Sequence, residues 1–202
     1  MTNREKYILS IYEELSDMGK HENVKLVKNT VNDGIYIKKT LKNYNIEIYK
    51  ILKNRQIKGI PKVYEIIEDE KELIIIEEYI HGLTLDKKYN KTDVETVKKI
   101  MEQLCNILKQ LHNMNPPIIH RDIKPTNIIV SNDDVVYLVD FNISREYDEN
   151  QSVDTVIMGT QGYASPEQCG FAQTDCRSDI YSIGMLMKNI LMVDEYPDKE
   201  TK

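Results

Sequence analysis

Long hydrophobic stretches are missing from this 202-residue sequence. Apolar runs such as residues 73–76 are only a few residues long, whereas a membrane-spanning helix needs about 20 consecutive apolar residues. Residues 1–15 are too polar to form a secretory signal peptide. The sequence therefore predicts a protein without a membrane partner.

Paired cysteines and patches of basic charge are also missing. The three cysteines are an odd number and none lies in a C-x-x-C pair, which favours a reduced protein of the cytoplasm. The net charge is −6, and lysine and arginine are interspersed with aspartate and glutamate. This distribution lacks the clustered positive charge of nucleic-acid-binding proteins, so no nucleic-acid partner is expected.

Residues 1–80 are rich in strand signals. A hairpin turn signal, Asn32-Asp33-Gly34, separates two β-rich runs. A short helix is predicted at 45–54, whereas residues 5–15 fit a helix and a first strand equally well. The predicted strands are 24–27, 34–38, 62–68 and 72–79.

The pattern becomes helical after the segment 79–82. Apolar side chains fall on one stripe of residues 92–112, as in an amphipathic helix, and Thr92 with Glu95 fits a capping box at its start. A small hairpin follows across 128–139, and then a second apolar helix at 179–191. The side chains of this helix that are expected inside are Ile180, Ile183, Leu186, Met187 and Ile190.

These elements predict an α+β fold within one domain spanning residues 1–202. Residues 1–80 form a small lobe, an antiparallel sheet with one helix. Residues 81–202 form a mainly helical lobe that contains a small hairpin, and residues 79–82 are the hinge between the two.

A polar loop at 120–127 carries side chains suited to phosphoryl transfer. That reaction needs a carboxylate to orient the attacking hydroxyl, cations to neutralise phosphate charge, and ligands for metal ions. Asp122 can supply the carboxylate, and Lys124 can reach the transferred phosphate. Asn127 and Asp140 offer the oxygen ligands that Mg²⁺ prefers.

The same loop reads His-Arg-Asp-Ile-Lys-Pro-Thr-Asn, which resembles the catalytic loop of protein kinases position by position. Asp140 and Phe141 resemble the first two residues of the family's Asp-Phe-Gly motif. The resemblance implies that Asp122 is the catalytic base and that Asn127 and Asp140 bind the metal. A lysine two residues after the aspartate is the serine/threonine variant, here of the bacterial type.

Two later blocks extend the resemblance. Residues 159–167 resemble the end of a kinase activation segment, with Ser165 in place of the usual alanine. There Thr160 would contact Asp122 and Lys124, and Glu167 would anchor the segment. Residues 178–184 resemble the start of the large lobe's central helix, whose Asp179 would hold the backbone of the catalytic loop.

The nucleotide end of the site is predicted from weaker signals. Residues 35–38 resemble the V-A-I-K pattern, which would direct Lys38 at the α- and β-phosphates. Strand alternation places the rival, Lys39, on the opposite face. Glu47, the only acid in the predicted helix 45–54, is the expected ion-pair partner of Lys38, and a solvated surface acid is the alternative reading.

The segment Glu78-Tyr79-Ile80 resembles the hinge whose backbone binds adenine, so Glu78 and Ile80 are candidate nucleotide contacts. Glu77 would then occupy the gatekeeper position. Residues 16–23 occupy the place of the family's glycine-rich loop but contain a single glycine, Gly19, which is the candidate phosphate contact.

Two further departures from the family pattern concern Asn142 and the end of the sequence. Asn142 replaces the glycine of Asp-Phe-Gly, and asparagine tolerates a positive φ better than most residues. No counterpart of the later large-lobe helices follows residue 191. The resemblance therefore implies a minimal, C-terminally abbreviated kinase whose exposed surface a homodimer or a partner protein would cover.

The expected function is transfer of the γ-phosphate of ATP to serine or threonine hydroxyls of a protein substrate, with Mg²⁺, or alternatively Mn²⁺, as the ion. Autophosphorylation is also expected, with Thr155 as the first candidate. Two other readings stay open. One is a pseudokinase that signals through nucleotide binding, and the other is a small-molecule kinase of related fold.

Overall fold

A computed structural model describes residues 1–18, 23–69, 72–89, 92–148, 159–169 and 172–191. The predicted phosphate contact, Gly19, and the predicted phosphorylation site, Thr155, lie outside these ranges.

The first part of the chain is a five-stranded antiparallel sheet with the strand order β1-β2-β3-β5-β4. A helix and a strand share residues 5–15, because α1 ends at Ser10 and β1 begins at Tyr12. Helix α2 packs against β4. The elements are α1 (Asn3–Ser10), β1 (Tyr12–Asp17), β2 (Val24–Asn29), β3 (Ile35–Leu41), α2 (Ile46–Asn54), β4 (Val63–Asp69) and β5 (Glu72–Glu78).

Strand β3 has one buried face and one partly exposed face. Ile37, Lys39 and Leu41 are buried, while Lys38 between them is half-buried. The pairing with β5 places these three buried residues directly opposite Glu77, Ile75 and Leu73, respectively. Cross-strand partners lie on the same face of a sheet. This inner face therefore carries Lys39 and Glu77 together with buried aliphatic side chains.

The second part of the chain contains the longer helices and two small sheets, with the orders β6-β8-β9 and β7-β10. Helix α4 packs against α5, β7 and β9. Short 3₁₀ turns lie at Pro125–Asn127 and Pro166–Cys169. The elements are β6 (Gly82–Thr84), α3 (Leu85–Lys88), α4 (Val94–His112), β7 (Ile118–Ile119), β8 (Ile128–Ser131), β9 (Val136–Leu138), β10 (Arg145–Glu146) and α5 (Cys176–Ile190).

Both long helices begin at an aspartate rather than where the sequence indicated. Asp93 caps α4 by accepting a hydrogen bond from the Thr96 backbone N–H at 3.0 Å, so the predicted capping box of Thr92 with Glu95 is wrong. Asp175 caps α5 in the same way. Aspartate is a strong N-cap because its carboxylate satisfies a free N–H at the positive end of the helix dipole.

The predicted stripe of α4 is buried except at its first residue, Val94. On α5 the prediction is partly wrong, because Ile180 and Met187 are 53% and 43% exposed rather than inside. Helix α5 buries Ile183, Leu186 and Ile190 instead. These side chains join those of α4 and the inner face of the large sheet in one continuous apolar core.

The described ranges thus form an α+β fold, an antiparallel sheet with α1 and α2 followed by a helical part with two small sheets. None of the helices within these ranges combines the length and the apolar character that crossing a membrane requires.

Candidate active site

Asp122 lies at the centre of a group of polar side chains from the loop at 120–127 and from a later segment. Its Oδ1 accepts a hydrogen bond from the Thr160 hydroxyl at 2.7 Å. Its Oδ2 accepts one from the Asn127 amide at 2.8 Å and lies 2.7 Å from Lys124 Nζ. The Asp122 side chain is 12% exposed. The carboxylate is therefore held in one orientation and remains accessible at its edge.

Lys124 and Thr160 complete a triangle with Asp122. Lys124 Nζ donates to the Thr160 hydroxyl at 2.9 Å, and that hydroxyl donates in turn to Asp122. Two segments 36 residues apart are joined by this contact. The structure thus brings together the three residues that the sequence grouped here.

The backbone of the loop is held by Asp179 from the first turn of α5. Its carboxylate accepts hydrogen bonds from the backbone N–H groups of His120 and Arg121, both at 2.9 Å. It also lies 2.8 Å from His112 Nε2 on α4. The Asp179 side chain is fully buried, and a buried carboxylate is tolerated only where such partners satisfy it. Arg121 adopts φ +70°, a conformation that the surrounding contacts must maintain.

His120 is fully buried and supports the loop from within. Its Nδ1 accepts a hydrogen bond from the Asp122 N–H at 3.3 Å, so Nε2 carries the hydrogen and donates to the Val139 carbonyl at 3.2 Å. Burial lowers the pKa of His120 against the opposing effect of Asp179 and Asp122. The ring also packs edge-on against Phe141 at a centroid distance of 4.7 Å.

Asp140 and Asn127 are the candidate metal ligands, and both have oxygens to offer. Asp140 Oδ1 is buried and, within the described ranges, accepts no hydrogen bond. Asn127 uses its amide nitrogen on Asp122, which leaves its carbonyl oxygen for another partner. A carboxylate and an amide oxygen fit Mg²⁺, which takes its remaining ligands from water and substrate phosphates. Accordingly, the described part of the chain contains no cluster of three acidic, histidine or cysteine ligands.

The lysine at the site is Lys39, and the prediction of Lys38 is wrong. Lys39 Nζ lies 2.6 Å from Glu77 Oε1, and each side chain is only 10% exposed. Burial would lower the pKa of Lys39, but the carboxylates of Glu77 and Asp140 outweigh it and raise that pKa. Lys38 projects from the other face of β3 and pairs with Glu14 of β1 at 2.9 Å. Alternation separated the two lysines correctly but did not show which face is inside.

The predicted pair of Lys38 with Glu47 is also absent, because Glu47 lies on the exposed side of α2. Its side chain is 59% exposed and pairs with Lys50 at 2.8 Å. The residue of α2 that reaches the site is Tyr49, whose hydroxyl donates to Asn142 Oδ1 at 2.7 Å. Asn142 is not among the residues with positive φ, and Asp140 adopts φ +69° instead.

Glu77 and Tyr49 are the site residues that sequence reasoning missed in these roles. For Glu77 a signal existed, since an acid inside the apolar run of β5 needs a buried cation as its partner. For Tyr49 there was no comparable signal, because its partner lies 93 residues later in the chain.

The hinge residues differ in their freedom to bind a nucleotide. The backbone N–H of Glu78 already donates to the Lys62 carbonyl at 2.8 Å. Ile80 lies beyond the end of β5, and no backbone hydrogen bond joins it to the rest of the described chain. The side chain of Ile80 is buried. The backbone of Ile80 is therefore a better candidate for a nucleotide contact than the backbone N–H of Glu78, which already has a partner.

The segment after Thr160 is fixed to the loop and to α5 by two neighbouring residues. Glu167 accepts a hydrogen bond from the Ser178 hydroxyl at 2.6 Å. Gln168, which the sequence analysis did not single out, donates to the Arg121 carbonyl at 2.7 Å. Burial opposes ionisation of Glu167, but hydrogen bonds from the Ser178 and Ser165 hydroxyls and from its own backbone N–H together outweigh it and lower the pKa of Glu167.

A family model described as the protein kinase domain matches residues 14–202. The chain belongs to the protein kinase family. Within that family it resembles bacterial serine/threonine kinases, as three relatives illustrate. A probable serine/threonine-protein kinase of Clostridium acetobutylicum is 35% identical over 131 residues, which are 64% of this chain and 20% of the relative.

The other two relatives give a similar picture. Serine/threonine-protein kinase A of Synechocystis is 36% identical over 137 residues, covering 61% of this kinase and 26% of the relative. Serine/threonine-protein kinase PknB of Mycobacterium tuberculosis is 36% identical over 121 residues, covering 58% and 19%, respectively. The matched part is therefore only about a fifth to a quarter of the length of these relatives.

Proposed function

We propose that this kinase transfers the γ-phosphate of ATP to serine or threonine hydroxyls of a protein substrate. The observation that carries the proposal is the contact of Thr160 and Lys124 with the Asp122 carboxylate. A carboxylate so oriented can accept the proton of an attacking hydroxyl, and the adjacent ammonium can neutralise charge on the transferred group.

The other polar residues have separate roles in this proposal. Lys39, which replaces Lys38 in this role, would bind the α- and β-phosphates. Asn127 and Asp140 would hold Mg²⁺, or Mn²⁺ as the alternative ion, and the ion when bound neutralises phosphate charge. The backbone of Ile80 would bind adenine. The kinase supplies positioning and charge, which are the main requirements of phosphoryl transfer.

The proposal also includes autophosphorylation and a protein contact. Thr155 is the first candidate acceptor, although it lies outside the described residues. The contact would be a homodimer or a partner protein on the outer face of α5, where Ile180, Tyr181 and Met187 are exposed.

A second candidate function is a nucleotide-binding signalling module with weak or no catalysis. One observation favours it, because the segment 16–23 contains a single glycine. The set of Asp122, Asn127 and Asp140 favours the enzyme, because a module that only binds a nucleotide does not need an oriented carboxylate beside the acceptor.

Incubation with labelled Mg·ATP and a generic protein substrate separates the two functions. Wild type should incorporate phosphate, and Asp122→Ala should lose at least about 100-fold in rate while it still binds the nucleotide. Asp133→Ala, at an exposed turn residue, is the matched control and should behave like wild type. Equal rates for Asp122→Ala and wild type would refute the role of Asp122. Nucleotide binding without transfer by wild type would favour the signalling module.

A further inference from the structure

Helix α2 has no acid that faces the active site. Its only acidic residue is Glu47, which lies in the first turn, is 59% exposed and pairs with Lys50. The side chains of α2 that point inward are Ile48, Tyr49 and Leu52. This helix therefore cannot supply a carboxylate to Lys39 in the arrangement that the structure shows.

The carboxylate beside Lys39 comes from the sheet itself. Glu77 lies directly opposite Ile37, two residues along β3 from Lys39, so the ion pair runs diagonally across two hydrogen-bonded strands. Diagonal neighbours on one face of a sheet are within reach of long side chains. On its other side β5 pairs with β4, where Val63 lies opposite Glu77. The acid is therefore fixed by strands on both sides.

The surroundings of the pair contain the candidate metal ligand. Burial would lower the pKa of Lys39, but the Glu77 and Asp140 carboxylates raise it, and burial together with the same two carboxylates raises the pKa of Tyr49. The Asp140 carboxylate is therefore within electrostatic range of the ion pair. An ion pair with only structural value can be replaced by apolar residues at little cost. A pair within electrostatic range of a candidate metal ligand has a use that apolar residues cannot supply.

We infer that Glu77 is the positioning residue of Lys39, and that the sheet rather than α2 aligns the lysine for the nucleotide phosphates. The inference rests on the proposed function, since it assigns an aligning partner to the lysine of that same site. It follows that α2 influences the site through the Tyr49 hydroxyl on Asn142, at 2.7 Å, and not through an ion pair.

The test combines direct nucleotide binding with kinetics. We expect Glu77→Gln to weaken the affinity for Mg·ATP about tenfold and to raise KM for ATP more than it lowers kcat. Glu77→Asp keeps a carboxylate on β5 and should recover most of the affinity. Glu47→Gln is the matched control on α2 and should leave both quantities unchanged.

A double-mutant cycle separates positioning from general damage. If Glu77 acts through Lys39, then Glu77→Gln should cause no further loss of affinity in a Lys39→Met background. A loss of the same size in both backgrounds, or the loss appearing with Glu47→Gln, would overturn the inference. Thermal unfolding is measured for each variant. If Glu77→Gln alone does not fold, the comparison of Lys39→Met with Lys39→Met/Glu77→Gln, which removes both buried charges, decides the question.

The outcome for the proposed function can be distinguished from the outcome of this test. Wild type that binds Mg·ATP but transfers no phosphate would refute the proposed function alone, because the affinity cycle is still measured. Wild type that binds no nucleotide would overturn both.

Discussion

The catalytic loop at 120–127 and the inner face of β3 are two parts of one site that are held in place in different ways. Three side chains hydrogen-bond to the backbone of the loop. Asp179 does so from α5, Gln168 from the 3₁₀ turn at Pro166–Cys169, and Asn127 from within the loop itself. Lys39, by contrast, has Glu77 as its one ion-pair partner in the described part of the chain.

This difference predicts how each part responds to substitution. Where several elements hold one backbone segment, its geometry survives the loss of a peripheral contact, and only the central residue, Asp179, is indispensable. Where one carboxylate holds one lysine, a single change alters the ligand contact directly. Substitutions that release the loop should therefore lower the free energy of unfolding. Substitutions at the lysine or its partner should mainly lower the affinity for the nucleotide.

Asp179→Ala should have the largest effect on stability. It leaves the N–H groups of His120 and Arg121 buried without an acceptor, so we expect the free energy of unfolding to fall by about 3–5 kcal/mol. Urea denaturation of the wild type and the variant measures this change. Asp175→Ala, which removes the N-cap of α5 and an exposed ion pair with Arg177, is the matched control and should cost about 1 kcal/mol. Similar losses for both variants would contradict the central role of Asp179.

Tyr49→Phe tests the link between α2 and the Asp140 segment. It removes the hydroxyl that donates to Asn142, so we expect a loss of about 1 kcal/mol in the free energy of unfolding. Tyr44→Phe is the control, because the Tyr44 hydroxyl donates to Glu68 on the exposed surface, and it should cost less than about 0.5 kcal/mol. Equal losses for the two variants would mean that the Tyr49 hydrogen bond contributes no more to stability than the exposed hydrogen bond of Tyr44.

Buried His120 should make the free energy of unfolding depend on pH. We expect this effect to be smaller than that of Asp179→Ala. Burial lowers the pKa of His120 in the folded state, so the unfolded chain binds a proton more readily. The contribution of neutral His120 is fully present above its unfolded pKa of about 6.5 and is lost as the pH falls below that value.

Urea denaturation at about pH 7.5 and about pH 5 measures this decline. His120→Gln should remove that part of it, while His81→Gln, at an exposed histidine, should leave it unchanged. A decline that persists in full in His120→Gln would show that another group is responsible.

Sequence alone predicted the loop much better than the inner face of β3. Residues 120–127 are contiguous and carry a specific pattern, so Asp122, Lys124 and Asn127 could be identified together, and the structure brings Thr160 to them as expected. The lysine was chosen between two neighbours by a looser pattern. The available signal was Leu41, an apolar residue that alternation places on the same face of β3 as Lys39. An apolar side chain on that face indicates that the face is buried, as the structure shows.

The partner of that lysine could not be predicted from helix composition. Glu47 was chosen as the only acid of α2, but its place in the first turn lies on the solvent side. The real partner depends on the register of β3 with β5, which local pattern does not determine. The capping box of α4 was wrong for a related reason, because two adjacent residues, Thr92 and Asp93, both suit an N-cap.

The most direct test of this account is the affinity for Mg·ATP of Lys39→Met compared with Lys38→Met, measured by titration of each folded variant. Lys39 is buried on the inner face of β3, where it pairs with Glu77, whereas Lys38 pairs with Glu14 on the other face of β3. The account predicts a loss of about tenfold or more for Lys39→Met and less than about twofold for Lys38→Met. The reverse order, or equal losses, would contradict it.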